Sequence, residues 1–376
     1  MSVTLEFPVA SRRGENPKEN PGLFGPRPRL TVGLVNNMPD AAMSATERQF
    51  IGLLEHSGGD YDIRLRLFAL DAVARSEQAK RAMDGRYHRA DALFSLRHDA
   101  LIVTGAEPRA PTLHEEPYWR ELIAVFDWAR AQTGSTLFLC LAAHAAVLHW
   151  NSIGRVPLPR KLTGAYAVSV AQDHRITEGL PRVIPMPHSR LNGLDDLALR
   201  ANGYKPLLWS EETGGDLFVK EDHSLLVLLQ GHLEYEADTL AREFRRDLCR
   251  YAAGGCDMPP ALPHNYFHGD LRERAHSLVE RTQRERRPDV AEQFSLDALD
   301  GQVRANWQSH ARRFYGNWLS LIAERSENSE RAFDPRAAMS LPSHVAPFCA
   351  PGVAWRRQSV PREQEDRVLA GARTGR

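Results

Sequence analysis

The chain has no net charge: 48 lysines and arginines are balanced by 48 aspartates and glutamates among 376 residues. With the two signs mixed rather than blocked, no overall field draws it to nucleic acid or to an anionic membrane. Long apolar runs are missing too. None approaches the roughly 20 residues of a membrane-spanning helix, and the first residues lack a secretory pattern. Cysteine is rare: Cys140, Cys249, Cys256 and Cys349 are too few and too scattered for a disulfide framework. None has CxxC or zinc-finger spacing, so no metal and no bound cofactor are expected. Repeats at solenoid periods are absent. These absences point to a cytoplasmic protein with reduced thiols, long enough for a full-sized core.

Residues 1–28 hold little core pattern and are rich in proline, glycine and charge, which reads as a flexible leader. The globular part is read as 29–324. Leu30–Val35 is a short buried-strand run, and Ser44-Ala-Thr-Glu47 has capping-box spacing ahead of a helical face of Phe50, Leu53 and Leu54. Ile63–Leu70 alternates as a strand, and Ala100–Gly105 is another ending in glycine. Tyr118–Gln132 is an amphipathic helix. Beyond Gly154 come shorter extended pieces near Ala165–Ala171, Val183–Met186, Leu207–Trp209 and Leu217–Lys220. A helix from about Thr239 to Ala253 is stopped by Gly254-Gly255. Residues 269–304 are charged and arginine-rich, an inserted segment of helix and loop. A last helix runs from about Asn306 to Glu324, and 325–376 reads as a disordered tail. Strands alternating with helices predict an α/β fold with a mostly parallel sheet flanked by helices.

The chemistry concentrates at two strand ends. Thr136-Leu-Phe-Leu-Cys140 runs into the alanine-rich helix Leu141–Leu148, so the Cys140 sulfur stands at a helix N-terminus, where the macrodipole favours a thiolate. A second apolar run, Ser224–Gln230, ends in Gly231-His232-Leu233-Glu234. In an extended segment His232 and Glu234 project to one side, so the carboxylate can orient an imidazole that takes the thiol proton. Each piece alone has a plainer meaning. A cysteine among apolar residues is commonly structural, and a single His-x-Glu says almost nothing. Both motifs follow predicted core strands, however, and catalytic groups in parallel sheets gather at carboxyl ends. The pattern points to covalent catalysis through an acyl-cysteine.

Several segments, in order along the chain, resemble the homoserine O-acyltransferase (homoserine O-succinyltransferase) family. They are Val35-Asn36-Asn37-Met38-Pro39, Ala100-Leu-Ile-Val-Thr-Gly-Ala106, Glu116-Pro-Tyr-Trp119 and Ser135-Thr-Leu-Phe-Leu-Cys140, followed by Pro187-His-Ser-Arg190, Gly231-His-Leu-Glu-Tyr235, Asn265-Tyr-Phe267 and Asn317-Trp-Leu319. The resemblance implies a class I glutamine-amidotransferase-like (flavodoxin-like) fold. It also implies acyl transfer from succinyl- or acetyl-coenzyme A to L-homoserine, the first committed step of methionine biosynthesis. Coenzyme A thioester and homoserine are then small-molecule partners, and the family tends to form homodimers. Under the resemblance Cys140 matches the nucleophile, His232 the general base and Glu234 its orienting carboxylate. Lys161 and Ser189 match acceptor-site residues. Arg246 matches the arginine that grips the acceptor carboxylate, and Glu243, a turn before it, orients it or binds the acceptor amine. Without the ordered match, Lys161 is an ordinary surface lysine, Ser189 a turn residue, and Glu243–Arg246 a helix pair worth about 0.2–0.5 kcal/mol. The oxyanion donors expected from the chain itself are the N–H of Leu141 and a backbone group near Gly105-Ala106.

Three departures stand out. Leu141 replaces a bulky residue, usually tryptophan, and His144 falls where the family carries glutamine. Arg109 stands where succinyl-preferring members tend to have glycine and acetyl-preferring ones glutamate; a guanidinium there would pair with a succinyl carboxylate, which favours succinyl. The 269–304 insertion and the tail exceed the usual family length and keep serine or another hydroxy amino acid open as acceptor. Two further classes remain. A glutamine amidohydrolase uses the same triad, but normally with glycines around its nucleophile where this chain has Leu139 and Leu141. A non-catalytic binding protein could also keep the fold.

Overall fold

The computed structural model describes residues 3–8, 27–297, 299 and 301–329. Its strands are β1 (Val3–Leu5), β2 (Arg29–Val35), β3 (Asp62–Phe68), β4 (Ala100–Val103), β5 (Ser135–Leu139), β6 (Val156–Val170), β7 (Val183–Gly193), β8 (Lys205–Ser210), β9 (Gly214–Glu221) and β10 (Leu225–Leu229). They form one sheet in the order β1-β3-β2-β4-β5-β10-β9-β8-β6-β7. The strands from β1 to β10 in that order are parallel, and β9, β8, β6 and β7 add an antiparallel wing. The short extended pieces after Gly154 are this wing, so the mostly parallel sheet carries an antiparallel extension. Every residue of β4, β5 and β10 is buried, as strands covered on both faces must be.

The helices are α1 (Asp40–Ser57), α2 (Glu77–Met83), α3 (Ala90–Ser95), α4 (Trp119–Gln132), α5 (Leu141–Asn151), α6 (Asp196–Ala201), α7 (Thr239–Ala252), α8 (Gly269–Glu285), α9 (Pro288–Ala291) and α10 (Gln308–Ser329). One core unites Phe50 and Leu54 of α1, Phe244 and Leu248 of α7, and Phe314 and Trp318 of α10. The other unites Leu122 and Phe126 of α4 with Ala142 and Ala146 of α5. The alanines let α5 lie close over the sheet directly behind Cys140. Among the described residues, no helix is long and apolar enough to cross a membrane.

Several boundaries differ from those expected. Within the stretch read as a leader, Val3–Leu5 pairs with β3, and Glu6 binds Arg64 and Arg66 at 3.0 and 2.9 Å; residues 9–26 lie outside the described residues. Helix α1 opens at Asp40 after Pro39, four residues before the supposed capping box. Glu47 is then interior, and its buried carboxylate pairs with Arg86 instead of capping a helix end. The charged 269–304 stretch supplies α8 and α9 and sends Phe294 into an aromatic cluster with Phe244 and Phe267, with ring centroids 5.0 and 5.6 Å away. Helix α10 continues to Ser329, past the predicted start of the tail; residues 330–376 lie outside the described residues.

Candidate active site

Parallel pairing of β5 with β10 sets Leu139 opposite Leu229, and this register brings the two chemistry-bearing strand ends together. Cys140 N–H donates to Leu229 O at 2.8 Å. To turn from β5 into α5 in one residue, Cys140 adopts φ 46° and ψ −109°. A side chain in such a conformation costs of order 1–3 kcal/mol, and here it leaves the thiol partly exposed at the top of the sheet. No flanking glycine relieves the bend; the cysteine bears the strain itself.

After β10 the chain does not stay extended. Leu233 and Glu234 lie in a turn, closed by Tyr235 N–H to His232 O at 3.2 Å. The expected same-side pairing is reached by this turn rather than by strand alternation, and Glu234 Oε1 sits 2.7 Å from His232 Nδ1. A proton held at Nδ1 by the carboxylate leaves Nε2 for the thiol. Burial opposes charge on His232, but the Glu234 carboxylate and the hydrogen bonds to Cys140 and Glu234 outweigh it and raise the imidazole pKa well above its usual value.

The turn is braced from several sides. His232 N–H donates to Pro187 O at 2.8 Å, and Gly231 has no room for a side chain, since a Cβ would lie 2.3 Å from Met186 Cγ. Trp307 Nε1–H donates to Tyr235 O at 2.8 Å, and Tyr266 O–H donates to Ala237 O. The Asn265-Tyr-Phe267 motif and Trp307, just ahead of α10, therefore hold the loop that carries the base.

Gly105, just beyond β4, packs against the start of α5: a Cβ on it would fall 2.7 Å from Leu141 Cβ and 3.2 Å from Leu141 N. The two expected oxyanion positions are thus neighbours, and the Leu141 N–H, first in its helix, has no intrahelical acceptor. On the same loop Glu116, itself buried, accepts from the N–H groups of Arg109 and Ala110. Arg109 itself is exposed, and among the described residues no ion pair ties its guanidinium to the site; its position does not carry a preference for succinyl.

Tyr235 links the triad to the other predicted residues. Its ring stacks on His232 with centroids 4.4 Å apart, and its hydroxyl donates to Glu243 Oε1 at 3.0 Å. Glu243 Oε2 is buried with no hydrogen-bond partner among the described residues. Arg246 lies 3.9 Å from Glu243 and makes its closer bonds to Asp247, at 3.0 and 2.9 Å. Lys161 reaches the other oxygen of Asp247 at 2.5 Å. Burial raises the Asp247 pKa, but Lys161 and Arg246 reverse this and hold the carboxyl below its usual value. Asp247 was not anticipated, although it joins two residues that were. Ser189 lies on β7 opposite Thr163 of β6, two residues past the carbonyl that receives the His232 N–H.

Behind these groups lies a buried polar cluster that sequence reasoning also missed. Arg190 Nε–H donates to His188 Nδ1 at 3.2 Å, and Arg190 also donates to the carbonyls of Asn192 and Thr213. His188 Nε2 lies 2.9 Å from Asp216 Oδ1, off the line of a good hydrogen bond. Thr213 O–H donates to Asp216 Oδ2 at 2.6 Å. His144 is buried, 3.0 Å from Gln230 Oε1, and burial with the nearby Arg190 charge pushes its pKa down to about 3. It is a neutral packed residue that ties α5 to the chain after β10, not a second base. Among the described residues no group of three His, Cys, Asp or Glu side chains could hold a metal ion.

A family model for homoserine O-succinyltransferase matches residues 27–328. The homoserine O-succinyltransferase of Methylorubrum extorquens is 46% identical, covering 81% of this chain and 91% of its own length. That of Rhodopseudomonas palustris is 41% identical over 78% of this chain and 88% of its own. A solved glutamine amidotransferase of Thermotoga maritima aligns at a TM-score of 0.44 and 11% identity, over 78% of this chain and 98% of that one. With the family model spanning most of its length, the chain belongs to the homoserine O-succinyltransferase family.

Proposed function

We propose that this chain moves a succinyl group from succinyl-coenzyme A to the hydroxyl of L-homoserine through an acyl thioester on Cys140. One observation carries the covalent route: a strained, partly exposed cysteine at a strand-to-helix turn faces an imidazole held by a carboxylate at 2.7 Å. The Cys140 sulfur, its proton passed to His232, attacks the thioester carbonyl. The tetrahedral oxyanion is met by the Leu141 N–H and the Gly105 backbone, and its collapse expels the coenzyme A thiolate, which takes a proton from His232. Neutral His232 then removes the homoserine hydroxyl proton as that oxygen attacks the acyl-cysteine. The ester leaves and the Cys140 thiolate with its imidazolium returns.

The acceptor is placed by charge. Arg246 and Lys161, aligned by Asp247, offer cations to its α-carboxylate. The open oxygen of Glu243 offers an acceptor for its ammonium. The donor preference rests on family membership, since Arg109 is exposed.

Intact-protein mass spectrometry tests the reading. Protein mixed with succinyl-coenzyme A alone should gain the mass of one succinyl group on Cys140, and added homoserine should discharge it. Full turnover with no adduct at any time would rule out the thioester route, and rapid discharge by serine rather than homoserine would reassign the acceptor.

A further inference from the structure

A cleft of about 340 Å³ opens beside Lys161, apart from Cys140, and six of its lining residues are basic: Arg160, Lys161, His264, His268, Arg272 and Arg304. No aspartate or glutamate lines it. Lys161 is paired with Asp247 and belongs to the acceptor side. Arg160, Arg272 and Arg304 are exposed and have no carboxylate partner among the described residues. Three exposed arginines around one concavity, with no carboxylate in its lining, make it a favourable seat for an anion of more than one charge.

The walls are built rather than incidental. His264 N–H donates to Thr163 O, and Ala165 N–H donates to His264 O, both at 2.8 Å. At Gly164, with φ 124°, the backbone of His264 lies so close that a Cβ would stand 2.1 Å from its nitrogen. Tyr166 stacks on the His264 ring at 4.7 Å. Arg304 is anchored through its N–H to Tyr266 O at 2.9 Å, and His268 through its N–H to Gln302 O at 3.0 Å. Arg272 lies in the first turn of α8, and His268 is the residue before that helix, so the positive end of its dipole faces the same space.

The cleft also connects with the reacting groups. From His232 the contacts pass through Tyr235, Glu243, Arg246 and Asp247 to Lys161, which lines it. Tyr166 lies between His264 and His188, 5.7 Å from the latter. An acyl-coenzyme A calls for two such connected places, one for its thioester and one for its phosphates. Its thioester must reach Cys140, while its pyrophosphate and 3′-phosphate lie at the far end of the pantetheine arm.

We propose that this cleft holds the phosphorylated adenosine end of the acyl-coenzyme A donor, with Arg160, Arg272 and Arg304 on its phosphates. This rests on the acyl-transfer reading above. The test compares succinyl-coenzyme A with the succinyl thioester of N-acetylcysteamine, which has the reacting group and no phosphate. In the Arg272→Ala/Arg304→Ala enzyme, kcat/KM for succinyl-coenzyme A should fall at least tenfold relative to kcat/KM for the truncated thioester. By calorimetry, adenosine 3′,5′-bisphosphate should bind the wild type and weaken at least about tenfold in this variant. The Arg272→Lys/Arg304→Lys enzyme should recover part of both losses. An unchanged ratio, or inorganic phosphate binding as tightly as the bisphosphate, overturns the assignment. If neither thioester acylates the wild type, the acyl-transfer reading is what fails, and the bisphosphate titration still decides the cleft.

Discussion

Replacing Gly105 by alanine isolates the geometry of the oxyanion site from every charged group around it. Gly105 is not in the left-handed region, so an alanine meets no backbone strain and acts through its methyl alone. That methyl would stand 2.7 Å from Leu141 Cβ and 3.2 Å from Leu141 N. Carbon atoms rest at about 3.5–4.0 Å, so the end of β4 and the start of α5 must part by about 1 Å. A shift of that size at a reacting centre costs roughly 10²-fold in rate, similar to losing one oxyanion donor. The same overpacking should lower stability by about 1–3 kcal/mol. Quench-flow measurement of acyl-enzyme formation should therefore show a roughly 10²-fold slower first step, with the KM for homoserine little changed. Gly52→Ala provides the control, because nothing lies within 4 Å of its Cβ in α1 and helix propensity favours alanine by about 1 kcal/mol. A Gly105→Ala enzyme that loses the expected stability yet acylates at the wild-type rate would refute the placing of the oxyanion between Gly105 and Leu141.

Three other substitutions probe the remaining parts. Glu234→Gln should lower kcat by about 10⁴-fold, as for other imidazole-orienting carboxylates, and should lower the His232 pKa, moving the alkaline limb of the rate profile to lower pH. A proton held more tightly in the folded state stabilises fully below the unfolded imidazole pKa, and this is lost as pH rises through the folded one. Wild-type stability should thus fall from neutral to alkaline pH more than that of Glu234→Gln; parallel urea midpoints would contradict the raised pKa. Asp247→Asn frees both Lys161 and Arg246 and should raise the KM for homoserine roughly tenfold, about 1.4 kcal/mol, while the donor KM stays; the reverse pattern would move Lys161 and Arg246 to the donor. Cys140→Gly and Cys140→Ala should both be inactive, but glycine relieves the φ of 46° and should be the more stable by about 1 kcal/mol. Equal stability would mean that the elbow carries no strain.

How much of this could be read before the fold was known follows from the range of each interaction. Cys140 was legible because an apolar strand and an alanine-rich helix adjoin it in sequence, and a strand-to-helix junction dictates its own geometry. His232 and Glu234 were legible as a pair because a single residue separates them, although a turn rather than an extended segment makes the contact. The parallel strands announced themselves as continuous apolar runs, whereas the antiparallel wing showed only as short pieces. Strand β6 is largely exposed over its first residues and buried only from Leu162, so it leaves a weaker signal than a continuous apolar run. Ser44 and Glu47 misled because capping-box spacing is also the spacing of one helical turn, and Asp40 after Pro39 starts α1 first.

The residues that escaped notice acquire their role only from distant partners. Asp247 follows Arg246 on an exposed helical face and reads as an ordinary surface acid until β6 brings Lys161 against it from 86 residues away. His188 and Asp216 lie on different strands of the wing and meet only because that wing folds back on itself. The same reasoning applies to the basic cleft. Arg160, Arg272 and Arg304 are dispersed among many arginines of a neutral chain, and composition argues against any strong field. What creates the local field is the closing of residue 264 onto Gly164, which sets β6, the start of α8 and Arg304 around one concavity. Net charge therefore excludes a global electrostatic partner without excluding a local anion site. In a two-substrate acyl transfer, the residues that bind the far end of the donor need not lie near the nucleophile in sequence or carry its motif.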